Sequence, residues 1–249
     1  MKKTWLVLLV AFVLVAAAGC DGDGDGDDNS SEVRGENSPS PEASIPDAAT
    51  ELGVTAIEYQ EYLDLIDLAV SDIEGYWIAE MPALFGIEYQ PPAQLVPFSS
   101  KEDAPTCGGE SVGVENAVYC SAGDYIAWDE AGLLLPYYTE IGDFAVAYVL
   151  AHEYGHSVQK QVGSTAQANI AFELQADCYA GAWAGDADTR GLLEEGDLEE
   201  GITALYTLGD LKGTHWADPD AHGTAEERID TFQYGFRAGA RKCAKGTAQ

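Results

Sequence analysis

The sequence predicts an α+β domain that is mainly helical, with a small sheet preceding one long apolar helix. Three observations point there. Apolar side chains recur at helical spacing within residues 55–80, two long stretches at about 140–161 and 166–184 read as helices, and short extended segments separated by Gly, Ser and Asp lie between them.

Taken in order, Ile66, Val70, Ile73 and Trp77 follow a 4-3-4 spacing that marks one face of a helix. Gly86 and the Pro91-Pro92 pair end that region. Gln94 to Phe98, Ala117 to Cys120 and Tyr125 to Trp128 are the extended candidates. Gly163 suits the C-terminal cap of the helix over 140–161. Further helices are expected at about 197–211 and after Thr224, where Thr224 and Glu227 fit a capping box.

The first 19 residues read as a secretory signal. Lys2 and Lys3 precede an apolar run, Trp5 to Ala18, that is short for a membrane-spanning helix. Ala17-Ala18-Gly19-Cys20 resembles a bacterial lipobox, with Ala17 where Leu or Val is usual. Acylation of Cys20 would anchor the chain to the cell membrane on its extracytoplasmic side; the alternative is an ordinary cleaved signal with an incidental cysteine. Residues 20–50 are expected to be a disordered acidic linker, leaving 51–249 as the folded domain. Asp21, Asp23, Asp25, Gly26 and Glu32 fit a calcium-loop pattern. The flanking helices of an EF-hand are missing from the sequence there, so weak calcium association with a flexible tether is the better reading.

The formal charge of −31, from 12 basic and 43 acidic residues, argues against nucleic acid and anionic lipid headgroups as partners. Beyond Cys20 an even number of cysteines remains, which in an exported chain favours disulfides. Cys107 with Cys120 would close a short loop, and Cys178 with Cys243 would tie the C-terminal end to the core. Thiolate zinc binding is the competing reading, disfavoured by the lack of a C-x-x-C pair.

His152-Glu153-Tyr154-Gly155-His156 is an H-E-x-x-H sequence in a helical stretch. Residues i and i+4 share a helix face, so both imidazoles can reach one tetrahedral Zn2+ at about 2.0–2.1 Å. Glu153 sits beside them as general base for a water that the metal activates. A pair of satisfied core histidines is the bland alternative. It fits poorly, because Ala145, Val146, Tyr148, Val149 and Leu150 make the helix largely buried, where unpaired imidazoles are costly.

A metzincin would need Gly and His at the positions of Gln159 and Val162, which excludes that class. Glu173-Leu174-Gln175-Ala176-Asp177 offers the other solution. Glu173 would complete a gluzincin-type ligand set with His152 and His156, and Asp177, on the same face, would accept the free N–H of a liganding histidine. A solvated acidic face is less apt beside Ile170, Phe172, Leu174, Tyr179 and Trp183. His222 and Arg228 are candidates for stabilising an oxyanion, against the plainer readings of a loop histidine and a carboxylate-paired arginine. His215 has no companion and no role is assigned to it. The expected activity is hydrolysis of peptide bonds in a peptide or protein substrate; the alternative is a scaffold lipoprotein with structural zinc.

Several segments together resemble the putative neutral zinc metallopeptidase family of bacteria: Pro91-Pro92, Cys107-Gly108, Tyr119-Cys120, Gly142 to Ala145, Ala151 to Gln159, Glu173 to Cys178 and His222-Gly223-Thr224. The resemblance covers roughly residues 72–243 and implies a zincin-like fold with a glutamate as third zinc ligand. The stretch from His222 to Arg228 is also similar in spacing to a His-Pro…Arg segment of another H-E-x-x-H peptidase family, where it places a side chain near the transition state. Ser157 departs from the second consecutive histidine common in the family, and Ala127-Trp128 replaces a more aliphatic strand.

Overall fold

A computed structural model describes residues 45–164, 169–210 and 221–244. The signal segment, Cys20, the calcium-like tract 21–32 and His215 lie outside the described residues. The folded chain begins earlier than the boundary expected at residue 50: α1 (Asp47–Glu51) is helical and Ala49 is fully buried in the core.

Helix α2 (Ala56–Phe85) starts at a capping box in which Thr55 and Glu58 satisfy each other's backbone N–H groups. Its buried face runs through Tyr59, Tyr62, Ile66, Ala69, Ile73 and Trp77, the expected stripe with aromatic residues added at its N-terminal end; Val70 is half-buried at its edge. Gly86 closes it in the left-handed conformation.

The sheet has the strand order β1-β5-β4: β1 (Gln94–Phe98), β4 (Ala117–Cys120) and β5 (Tyr125–Asp129). β5 is central and every residue in it is buried; it pairs parallel with β1 and antiparallel with β4. Among the described residues β4 is therefore an edge strand. A separate hairpin joins β2 (Thr106–Cys107) to β3 (Glu110–Ser111) through Gly108-Gly109, both at positive φ, as a two-residue turn requires. After β5 a π-helical turn (Glu130–Leu134) runs into α3 (Leu135–Glu140).

Helix α4 (Asp143–Val162) is buried around most of its circumference and ends at Gly163 in the left-handed conformation (φ 63°), as expected. Glu200, from α6 (Asp197–Leu208), accepts the N–H of Phe144 at 3.1 Å and so caps α4 from outside. Helices α5 (Asn169–Thr189) and α7 (Ala225–Ala238) pack closely, and α8 (Ala240–Cys243) completes the described chain. Glycines make the α5–α7 contact possible. A Cβ at Gly181 would collide with the carbonyl of Phe232, and one at Gly235 with the carbonyl of Cys178. The Thr224–Glu227 capping box starts α7, and both expected disulfides, Cys107–Cys120 and Cys178–Cys243, are formed. Their separations of 13 and 65 residues correspond to loop-closure stabilisation of about 3 and about 4 kcal/mol.

Candidate active site

His152 and His156 project from the middle of α4, and Glu173 from the first turns of α5. The approach of the two helices depends on Gly155, the fourth residue of the H-E-x-x-H motif. A Cβ there would lie 3.0 Å from the carbonyl oxygen of Ala176, so any larger side chain would push α5, with Glu173 and Asp177, away.

The metal-ligand candidates converge. His152 Nε2 lies 3.1 Å from Glu173 Oε2 and 3.1 Å from His156 Nε2, which is itself 3.5 Å from Glu173 Oε1. Tetrahedral zinc with ligands at about 2.0–2.1 Å needs ligand atoms about 3.4 Å apart. Two facing ring nitrogens and a carboxylate also need a cation or a proton between them. The donor set therefore fits zinc.

The far side of each ring is fixed by a different partner. His152 Nδ1 faces Asp177 Oδ1 at 2.7 Å and His156 Nδ1 faces Gln159 Oε1 at 2.8 Å, so each Nδ1 carries its proton toward an oxygen and each Nε2 turns its lone pair to the site. Asp177 is fully buried. It accepts from Tyr148 Oη at 2.6 Å and from Arg228 Nε and Nη2 at 2.8 and 3.0 Å.

Electrostatics follow this geometry. Burial alone would raise the Asp177 pKa, but Arg228 and His152 outweigh it and hold it at about 2. Burial likewise works against an anionic Glu173, yet its bonds to His152 and His156 keep it well below the usual carboxylate range. With no metal between them, burial opposes a charged His152, while Asp177 and Glu173 prevail and raise its pKa to about 10.

Glu153 lies at the same cavity, of about 150 Å3, with His152, His156, Glu173, His222 and Arg228 in its wall. Its Oε2 accepts the backbone N–H of Tyr119 at 2.6 Å, which fastens the carboxylate to the edge strand β4. Asp129 N–H donates to Asn116 O, so by antiparallel alternation Val118 and Cys120 pair with β5, whereas Ala117 and Tyr119 turn their backbone groups to the free edge.

His222 stands at the rim, about half exposed. Its backbone N–H and that of Gly223 donate to Asp210 Oδ2 at 2.7 and 2.8 Å, and its Nδ1 is 3.7 Å from Asp210 Oδ1. Arg228 is 3 % exposed, and besides Asp177 it donates to the Leu208 carbonyl and to Tyr148 Oη. Four of its hydrogen bonds are thus committed behind His152, which suits a positioning charge better than the oxyanion role expected from sequence. Three participants escaped the sequence reading. Tyr148 and Gln159 lie one turn from His152 and His156 on the same helix, so the i−4 and i+3 positions were a usable signal; nothing in the sequence marks the Tyr119 amide. A second acidic group, Asp143, Asp197 and Glu200, is half-buried and lacks an imidazole, and Glu200 there already caps α4.

The chain is 34% identical over 210 residues to the uncharacterized protein YpfJ of Escherichia coli K12, a match covering 73% of this chain and 69% of the relative. It is 35% identical over 124 residues to the uncharacterized proteins Mb2605 of Mycobacterium bovis and Rv2575 of Mycobacterium tuberculosis, covering 39% of this chain and 42% of each relative. No solved structure shows significant similarity. The family described as putative neutral zinc metallopeptidase matches residues 6–245, and the chain belongs to that family.

Proposed function

We propose that the chain is a zinc-dependent peptidase that hydrolyses peptide bonds outside the cytoplasmic membrane, held there by an acyl anchor on Cys20. The observation that carries the catalytic reading is the convergence of His152 Nε2, His156 Nε2 and Glu173 at tetrahedral spacing, with the Glu153 carboxylate on the same cavity. Zinc bound there would polarise a scissile carbonyl and lower the pKa of a water molecule. Glu153 takes the proton of the attacking water and passes it to the leaving amine. Asp177 and Gln159 keep the two imidazoles in the Nδ1–H tautomer. His222, at the rim, would donate to the oxyanion, and Arg228 balances the buried charge of Asp177. Apart from the Tyr119 N–H held by Glu153, the edge of β4 would offer the backbone groups of Ala117 and the carbonyl of Tyr119 to an extended peptide lying across the cavity as an added strand.

Glu153→Gln keeps size and shape but cannot accept a proton. It should retain zinc while losing peptide cleavage by roughly 10²–10⁴-fold, whereas Glu173→Ala should lose zinc affinity itself. A scaffold with structural zinc would show wild-type behaviour in Glu153→Gln in every assay. For the anchor, Cys20→Ser should free the protein from carbonate-washed membranes; retention of the variant in the membrane fraction would defeat that part of the reading.

A further inference from the structure

We propose that Gln159 and Gln175 are positioning residues for the zinc ligand His156, and that they take their rigidity from the disulfide-anchored C-terminal end of the chain. The inference rests on the zinc reading above. Both side chains are buried, Gln159 on α4 and Gln175 on α5. Gln159 Nε2 donates to the Phe172 carbonyl at 2.7 Å and to Gln175 Oε1 at 3.1 Å. Gln175 Oε1 also accepts from Ser164 Oγ at 2.9 Å, and Gln175 Nε2 donates to the carbonyl of Cys243 at 3.1 Å. Cys243 is bonded to Cys178, about one and a half turns beyond Glu173 on α5.

Each amide nitrogen thus faces only oxygens. Flipping either amide would set oxygen against oxygen in a buried site, where an unmet acceptor is expensive. The Gln159 oxygen therefore has one orientation, toward His156, and His156 must carry its proton on Nδ1 and present Nε2. Phe172, stacked on the imidazole at 5.2 Å, restrains the ring plane. The chain of bonds running from Cys243 through Gln175 and Gln159 to His156 fixes a tautomer that an isolated histidine would leave free.

The test measures zinc affinity of the full chain by competition with a chromophoric chelator, with thermal stability of the chelated protein recorded separately. Gln159→Ala should lower zinc affinity by roughly 10–100-fold. Gln159→Glu still accepts the His156 proton but cannot donate to Phe172 or Gln175, so it should hold zinc better than Gln159→Ala despite reduced stability. Gln175→Ala and Cys243→Ala should each weaken zinc binding, and combining them should add nothing, because both act through one chain of bonds. Equal zinc loss in Gln159→Ala and Gln159→Glu would overturn the proposal by leaving only a packing role. So would affinity within about twofold of wild type in Gln159→Ala, or fully additive losses in the Gln175–Cys243 pair. A wild-type chain that binds no zinc would instead overturn the metal reading on which this one stands.

Discussion

Replacing Asp177 by asparagine tests how the site is held together. The carboxylate is fully buried and accepts four hydrogen bonds, from His152 Nδ1, Tyr148 Oη and two nitrogens of Arg228. An amide cannot serve them all. Turned one way its NH2 meets Arg228 Nε; turned the other it meets His152, Tyr148 and Arg228 Nη2. Arg228 is left buried at 3 % exposure with its charge uncompensated. Breaking a buried ion pair from one side costs about 3–5 kcal/mol, and for a domain of this size that corresponds to a fall in Tm of roughly 6–20 °C. Zinc affinity should fall as well, by roughly 10–100-fold, because His152 loses its anionic partner. The two effects separate in the double variant Asp177→Asn/Arg228→Met. Removing the stranded guanidinium should restore most of the stability, while zinc affinity stays at least about tenfold below wild type. Thermal unfolding followed by circular dichroism and chelator competition measure both quantities. If Asp177→Asn costs less than about 1 kcal/mol, or the double variant is no more stable than the single, the account of a charge-compensated buried network is wrong.

Two further outcomes follow from the same geometry. Without metal, His152 has a folded-state pKa of about 10, above the ordinary value of 6.5. Its contribution to stability is fully present below 6.5 and is lost as pH rises through about 10, so the chelated protein should lose Tm over that window, and zinc binding near pH 8 should release about one proton. Calorimetry in buffers of different ionisation enthalpy reads this directly, and zero proton release would contradict it. Gly181→Ala should destabilise the domain by about 1–3 kcal/mol by forcing α5 from α7, since the new methyl meets the Phe232 backbone rather than a movable side chain. An unchanged Tm would refute that packing.

Much of this protein is legible one residue at a time. The H-E-x-x-H spacing sets two imidazoles on one helix face whatever surrounds them, and the stripe Ile66, Ile73, Trp77 marks the buried side of α2 because that helix has a wet side to contrast with it. The capping box at Thr224 and the left-handed Gly163 are equally local. Glu173 and Asp177 were recognisable as a pair by their i, i+4 spacing. The Gly108-Gly109 turn of the β2–β3 hairpin is a local signal too.

Other features were decided only by the tertiary structure. Helix α5 is buried on nearly every side, so its sequence shows no apolar stripe, and nothing marks Gln175 as a partner of Gln159 until α4 lies against it. The assignment of Arg228 to Asp177 rather than to an oxyanion depends on the glycine-mediated contact of α5 and α7, between segments 51 residues apart in sequence. The grip of Tyr119 N–H on Glu153 comes from a backbone group exposed by the alternation of an edge strand. Backbone amides carry no sequence identity, so only the register of β4 against β5 could reveal which one faces the Glu153 carboxylate.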